Sequence, residues 1–218
     1  MATQRDRDDV PAMRPTQAQM AALRRRDPVL GATIKHLPPL PDFPVGILRG
    51  SYFHVLARWI IYQQLAKLAA ATIYVRVQKL SPGPCFPTPA QMLALSDERL
   101  RAAGLSGNKT RTLQDLATKI VTGELSLRGI ARHDDDEVIR RLITVWGIGE
   151  WTAQMFLIFR LGRLDIMPAG DLGVQEGLRI LDGLDGRPSP DTLLGRAEVW
   201  RPLRSVAAWY LWKLTDAR

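Results

Sequence analysis

The stretch from position 143 to 173, "ITVWGIGEWTAQMFLIFRLGRLDIMPAGDLG", constrains the fold more than any other part of the chain. Gly147-Ile148-Gly149 interrupts an apolar, helix-patterned run, and two glycines so close together permit a tight turn and leave amides uncovered by side chains. Trp151, Met155, Ile158, Phe159 and Gly162 then recur at helical spacing, which predicts a second helix starting at once. Such a helix–turn–helix directs N–H groups out of a helix N-terminus, where a phosphate can bind. On its own the turn is better read as an ordinary helical hairpin. Beyond the second helix a single acid, Asp171, is boxed in by Pro168, Gly170 and Gly173. With Leu172 opening another helix, Asp171 stands at its N-cap.

The rest of the chain also reads as helices, and nothing reads as a strand. Phe53, Leu56, Ala57, Ile60 and Ile61 mark one buried stripe, and a further helix follows from about Lys67 to Leu80 after a break at Gln63 to Ala66. Thr88, Pro89 and Gln91 spell a helix start with a capping box. Short helices are predicted at about 89–95, 97–103 and 108–121. The acidic run Asp134 to Glu137 suits the positive end of a helix whose apolar face is Val138, Ile139, Leu142 and Ile143. Residues 1 to about 15 lack an apolar period and read as a loose arm, and Pro38, Pro39, Pro41 and Pro44 mark an extended connector. The fold class is all-α.

Composition narrows the chemistry. The 218 residues are 46% apolar, which suits a folded chain with one sizeable core or two joined subdomains. No apolar run reaches eighteen residues and the polar start lacks a secretory signal, so the chain is expected to be intracellular, in the cytoplasm, with no membrane contact. The lone Cys85 excludes a multi-thiolate zinc or iron–sulfur site within this chain. His36, His54 and His133 are too scattered to suggest a metal cluster and fit surface or structural roles. Thirty Lys and Arg against 22 Asp and Glu leave a net charge of +8, with a pI near 10.1, which fits a polyanionic partner.

The hairpin followed by "D…P…D" resembles the helix-hairpin-helix, Gly/Pro-loop and aspartate signature of a DNA glycosylase superfamily, in particular its 3-methyladenine DNA glycosylase II branch. The stretches "IIYQQLAKLAAATI" (60–73), "GLSGNKTRTLQDLA" (104–117) and "WRPLRSVAAWYLWKL" (200–214) are similar to that family in the same order. The resemblance spans about residues 45 to 216. It implies the helix-hairpin-helix glycosylase fold, with two all-α subdomains flanking a DNA cleft. The central subdomain would run over 45–150 and the hairpin over 142–165. A second subdomain, 151–218, would carry the acid, with 1–44 packing against it. A short form is expected, without the small β-sheet domain that precedes the helical core in some relatives.

The resemblance also assigns residues. Asp171 takes the place of the catalytic aspartate, with Asp165 as a competing carboxylate at the helix exit. Gly147, Ile148, Gly149, Glu150 and Thr152 form the phosphate-binding hairpin, and the carbonyls of Ile143, Val145 and Ile148 are where a monovalent cation could sit. No cofactor and no essential metal are implied. Trp151 and Trp212 align with base-pocket tryptophans, whereas Trp146, Trp200 and Trp209 fit helix packing as well. Met155 stands in the pocket where relatives carry tyrosine, a change that leaves oxidised or deaminated purines and alkylated pyrimidines open as substrates beside 3-methyladenine and 7-methylguanine. Gln64, with Leu65 beside it, falls at the DNA wedge, where some relatives use leucine; Gln63 and Gln64 could instead satisfy loop backbone groups.

Members that also cleave the DNA backbone carry a lysine directly after the turn. Here Trp151 fills that place, although Lys109 or Lys213 could supply an amine. The expected activity is monofunctional removal of alkylated bases from double-stranded DNA by base flipping, by a monomer that leaves an abasic site for base excision repair. A catalytically silent hairpin module that recognises DNA, and a glycosylase for oxidised or deaminated bases, are the alternatives.

Overall fold

The computed structural model describes residues 14–41 and 50–216; the arm expected over residues 1 to about 15 lies outside them up to position 13, as does Pro44 of the connector. The described residues form helices and contain no strand. In chain order these are α1 (Gln17–Arg26), α2 (Pro28–Ile34), α3 (Tyr52–Tyr62), α4 (Lys67–Gln78), α5 (Pro89–Leu93), α6 (Asp97–Ala102), α7 (Gly107–Thr122), α8 (Asp135–Leu142), α9 (Glu150–Phe159), α10 (Leu172–Asp182), α11 (Pro190–Ala197) and α12 (Arg204–Asp216), with 3₁₀ turns at Ile130–Arg132 and Glu198–Trp200. They fall into two compact units, one holding residues 50–156 and the other 14–41 with 157–216. The division comes within α9, after Phe156.

In the first unit α3 and α5 pack on the long α7. The stripe read from α3 is buried at all five positions and is widened by Tyr52 and Val55. Each fully buried Leu or Ile of this kind contributes about 1.5–3 kcal/mol. Thr88 and Gln91 close their capping box at the start of α5. Asp134 caps α8 through the Glu137 N–H, and Arg140 and Arg141 occupy its last turn, so both helix ends carry the complementary charge. The apolar face predicted for α8 holds at Val138 and Leu142, but Ile143 is 47% exposed because the helix has ended and the chain is turning away. His54 stacks on Tyr74 and Phe86, a packing role, and burial pulls its pKa below the usual histidine range.

The expected single apolar face on α9 is also corrected. Met155, Phe156, Leu157 and Ile158 follow one another in sequence and are all buried, so core surrounds most of the helix circumference. Gly162 lies beyond the end of α9 in a left-handed turn, at φ 71°.

In the second unit α10 packs along α12, and Gly177 makes the approach close: a Cβ there would collide with the Leu211 carbonyl. Asp27 ties the N-terminal helices to the chain beyond the hairpin. It caps α2 through the Leu30 N–H at 3.0 Å and accepts from the Trp200 indole at 2.7 Å and from Arg196 at 2.6 Å. Burial pushes the Asp27 carboxyl up, but these three bonds outweigh it and hold the group below the ordinary carboxylate range.

Candidate active site

The two glycines of the hairpin turn have different reasons to be there. Gly147 adopts φ 81°, and a Cβ on it would strike the Thr112 side chain, so both backbone and packing require glycine. Gly149 has no positive φ, and a Cβ on it would meet nothing within 4 Å. Among the described residues nothing demands glycine at 149, whereas a phosphate approaching the first-turn amides of α9 would.

The turn is braced from within. Ile148 is buried at 4% exposure and donates its N–H to the Val145 carbonyl at 3.1 Å. Thr152 is 2% exposed; its N–H donates to the Gly149 carbonyl at 3.0 Å and its hydroxyl accepts from Gln63 Nε2 at 2.9 Å. Glu150 is exposed and bonds to Gln154, four residues on. The carbonyls of Ile143, Val145 and Ile148 are hard, neutral donors of the kind an alkali cation accepts. That of Val145 is already shared with the Ile148 N–H and retains a second lone pair. Among the described residues no group of three or more His, Cys, Asp or Glu side chains could hold a metal ion.

Asp171 is N-cap of α10, and its loop is fixed on both sides. Its own N–H donates to the Pro168 carbonyl at 2.9 Å, and buried Gln175 reaches back to the Ala169 carbonyl at 2.8 Å. Asp171 Oδ1 accepts from the Val174 N–H at 2.9 Å and also from the Trp212 indole N–H at 2.9 Å. The side chain is half-buried. Both donors, with the N-terminus of α10 behind them, fix the direction of the carboxylate. The bond between Trp212 and the acid has no local signal in the sequence, since the two lie 41 positions apart. Trp212 also packs against Phe159, with ring centroids 5.6 Å apart.

The competing acid is committed elsewhere. Asp165 bonds the guanidinium groups of Arg201 and Arg204 at 3.0 Å and caps α12 through the Arg204 N–H at 3.2 Å. It is a structural ion-pair residue.

The remaining positions separate by burial. Gln64 is exposed with φ 54°, the one non-glycine positive φ among the described residues, and Leu65 beside it is 40% exposed. Trp151 is half-buried and meets Trp59 edge-on at 6.2 Å. Met155 is 2% exposed and offers little surface to a ligand. Trp200 is fully buried, Trp209 lies under Lys213, and Trp146 stays 37% exposed with Arg111 over its face at 4.1 Å. Neither candidate amine is idle: Lys109 bonds backbone carbonyls and Lys213 pairs with Asp216.

Residues 57–202 match the HhH-GPD superfamily of base excision DNA repair proteins. DNA-3-methyladenine glycosylase 1 of Schizosaccharomyces pombe is 38% identical over 162 residues, which cover 74% of this chain and 71% of that protein. DNA-3-methyladenine glycosylase 2 of Escherichia coli is 27% identical over 161 residues, 72% of this chain and 54% of its own length. The S. pombe 3-methyladenine DNA glycosylase, solved in complex with abasic DNA, superposes with a TM-score of 0.78 at 32% identity, covering 92% of this chain and 97% of that one. A DNA-3-methyladenine glycosidase from Bacillus halodurans gives the same TM-score and identity over 93% and 91%.

Proposed function

Because the chain belongs to the HhH-GPD superfamily of base excision DNA repair proteins, we propose that it is a monofunctional glycosylase that hydrolyses the N-glycosidic bond of alkylated bases, of the 3-methyladenine and 7-methylguanine type, in duplex DNA. Relatives named 3-methyladenine glycosylases support the substrate class. The observation that carries the reading is Asp171, a carboxylate held in place at the N-terminus of α10 by the Val174 and Trp212 N–H groups.

One acid is enough for this reaction. Alkylation at N3 or N7 gives a purine a positive charge and weakens its bond to deoxyribose, so the leaving base needs little protonation. A carboxylate beside the sugar stabilises the developing oxocarbenium ion and orients or deprotonates the attacking water. A paired second carboxylate, as in glycosidases of intact sugars, has no task here.

The hairpin amides take a backbone phosphate, Gln64 and Leu65 fill the gap left by the everted nucleotide, and Trp151 in one unit and Trp212 in the other each offer an aromatic face to a base. A cationic base gains about 0.5–2 kcal/mol per aromatic face over a neutral one. The net charge of +8 favours the duplex as partner. Among the described residues no helix is long and apolar enough to cross a membrane.

The test is a duplex oligonucleotide containing 7-methylguanine, incubated with the protein in chelator. Free base should appear, the strand should break only after alkali, and borohydride should trap no covalent adduct. Binding without base release would point to a non-catalytic DNA module; breaks without alkali would point to a lyase.

A further inference from the structure

The ammonium of Lys109 is aimed at backbone. From the first turn of α7, Nζ donates to the carbonyls of Ile61 at 2.7 Å and Gln63 at 2.8 Å, at the end of α3. The last carbonyls of a helix lack intrahelical partners and carry its negative end, so a cation there is well placed. Yet the group is half-buried and both acceptors are neutral, and burial pulls its pKa below the usual lysine range. Taking an ammonium out of water is costly and is offset here by two charge-assisted bonds.

What those bonds hold is the residue before Gln64. Gln63 is fixed at its carbonyl by Lys109 and at its side-chain amide by Thr152, inside the hairpin. Gln64 follows at φ 54°, a conformation that a residue with a side chain adopts only when its surroundings impose it. A tip that must enter a base stack works best when its shape is set beforehand, since ordering it on contact with DNA would cost free energy at that step.

We propose that Lys109 is the positioning residue of the DNA wedge: by clamping the Ile61 and Gln63 carbonyls it holds the Gln64 turn in its inserting shape and links it to the phosphate-binding hairpin. The role rests on the glycosylase reading above. It also explains why this amine takes no part in Schiff-base chemistry, which needs a neutral amine free to attack.

Lys109→Met keeps the length of the side chain and removes its donors. Single-turnover base release is compared on two substrates, 7-methylguanine paired in a duplex and 7-methylguanine in a single-nucleotide bulge, where no pairing partner has to be given up. The variant should be slower on the paired substrate by about tenfold or more, the value of a lost charge-assisted bond, and within about twofold of the native chain on the bulge. Equal loss on both substrates, or no loss on either, would overturn the role. If Lys109→Met does not melt cooperatively, Lys109→Gln replaces it and must show the same split. Absence of base release by the native chain on both substrates would count against the glycosylase reading itself.

Discussion

A carboxylate that stabilises a developing cation has to keep its direction, and for Asp171 in that proposed role the bond from Trp212 helps to set it. That indole N–H shares Oδ1 with the Val174 amide, so the tryptophan is an orienting donor as well as an aromatic surface. Trp212→Phe separates the two roles, because it removes the N–H and keeps a ring. A hydrogen bond to a charged group is worth about 1.5–3 kcal/mol, so the single-turnover rate should fall about tenfold or more while affinity for methylated duplex changes by less than about twofold. Weakened binding at an unchanged rate would leave Trp212 as a wall only. The N-cap place of Asp171 was legible in the sequence, because a helix opens at Leu172 directly after it. Its bond to Trp212 and that of Lys109 to Ile61 were not, since they span 41 and 48 positions and exist only after the helices have packed.

Among the elements, the hairpin carries at its helix N-terminus a glycine that packing among the described residues does not require. Gly149→Ala introduces a methyl group into open space and restricts the unfolded chain, so thermal stability should hold or rise slightly, by about 0.4–1 kcal/mol. Affinity for duplex DNA should nevertheless drop, by similar factors for damaged and undamaged sequences, because the contact is to backbone. Fluorescence anisotropy with both duplexes, beside a melting curve, checks this; unaltered affinity would remove the phosphate from the turn. Helix starts were readable wherever side chain and backbone interact within four residues, as at Thr88 with Gln91 and Asp134 with Glu137. The exposure of Ile143 and the burial around α9 were not readable, because an apolar stripe reports one packed face and says nothing of a helix enclosed on several sides.

At the scale of the molecule, the all-helical class followed from periodicity, and the nucleic-acid partner from the resemblance of the hairpin and its surroundings to a glycosylase family, with the basic charge in keeping. The residues proposed for the site divide between the two units. Residues 50–156 carry the hairpin turn, the Gln64 tip and its Lys109 clamp, and the unit of 14–41 with 157–216 carries Asp171 and Trp212. Chemistry and DNA binding should therefore be separable by mutation. The most direct measurement is single-turnover release of 7-methylguanine from duplex DNA by the native chain and by Asp171→Asn, with the affinity of both for the same duplex. The asparagine keeps a cap oxygen for α10 and loses the charge. Release should fall by at least about a hundredfold, the scale of losing one electrostatic stabiliser of a transition state, with affinity held within about threefold, less than the tenfold that 1.4 kcal/mol would produce. Release at the native rate by Asp171→Asn would contradict the assignment of the acid and the mechanism built on it.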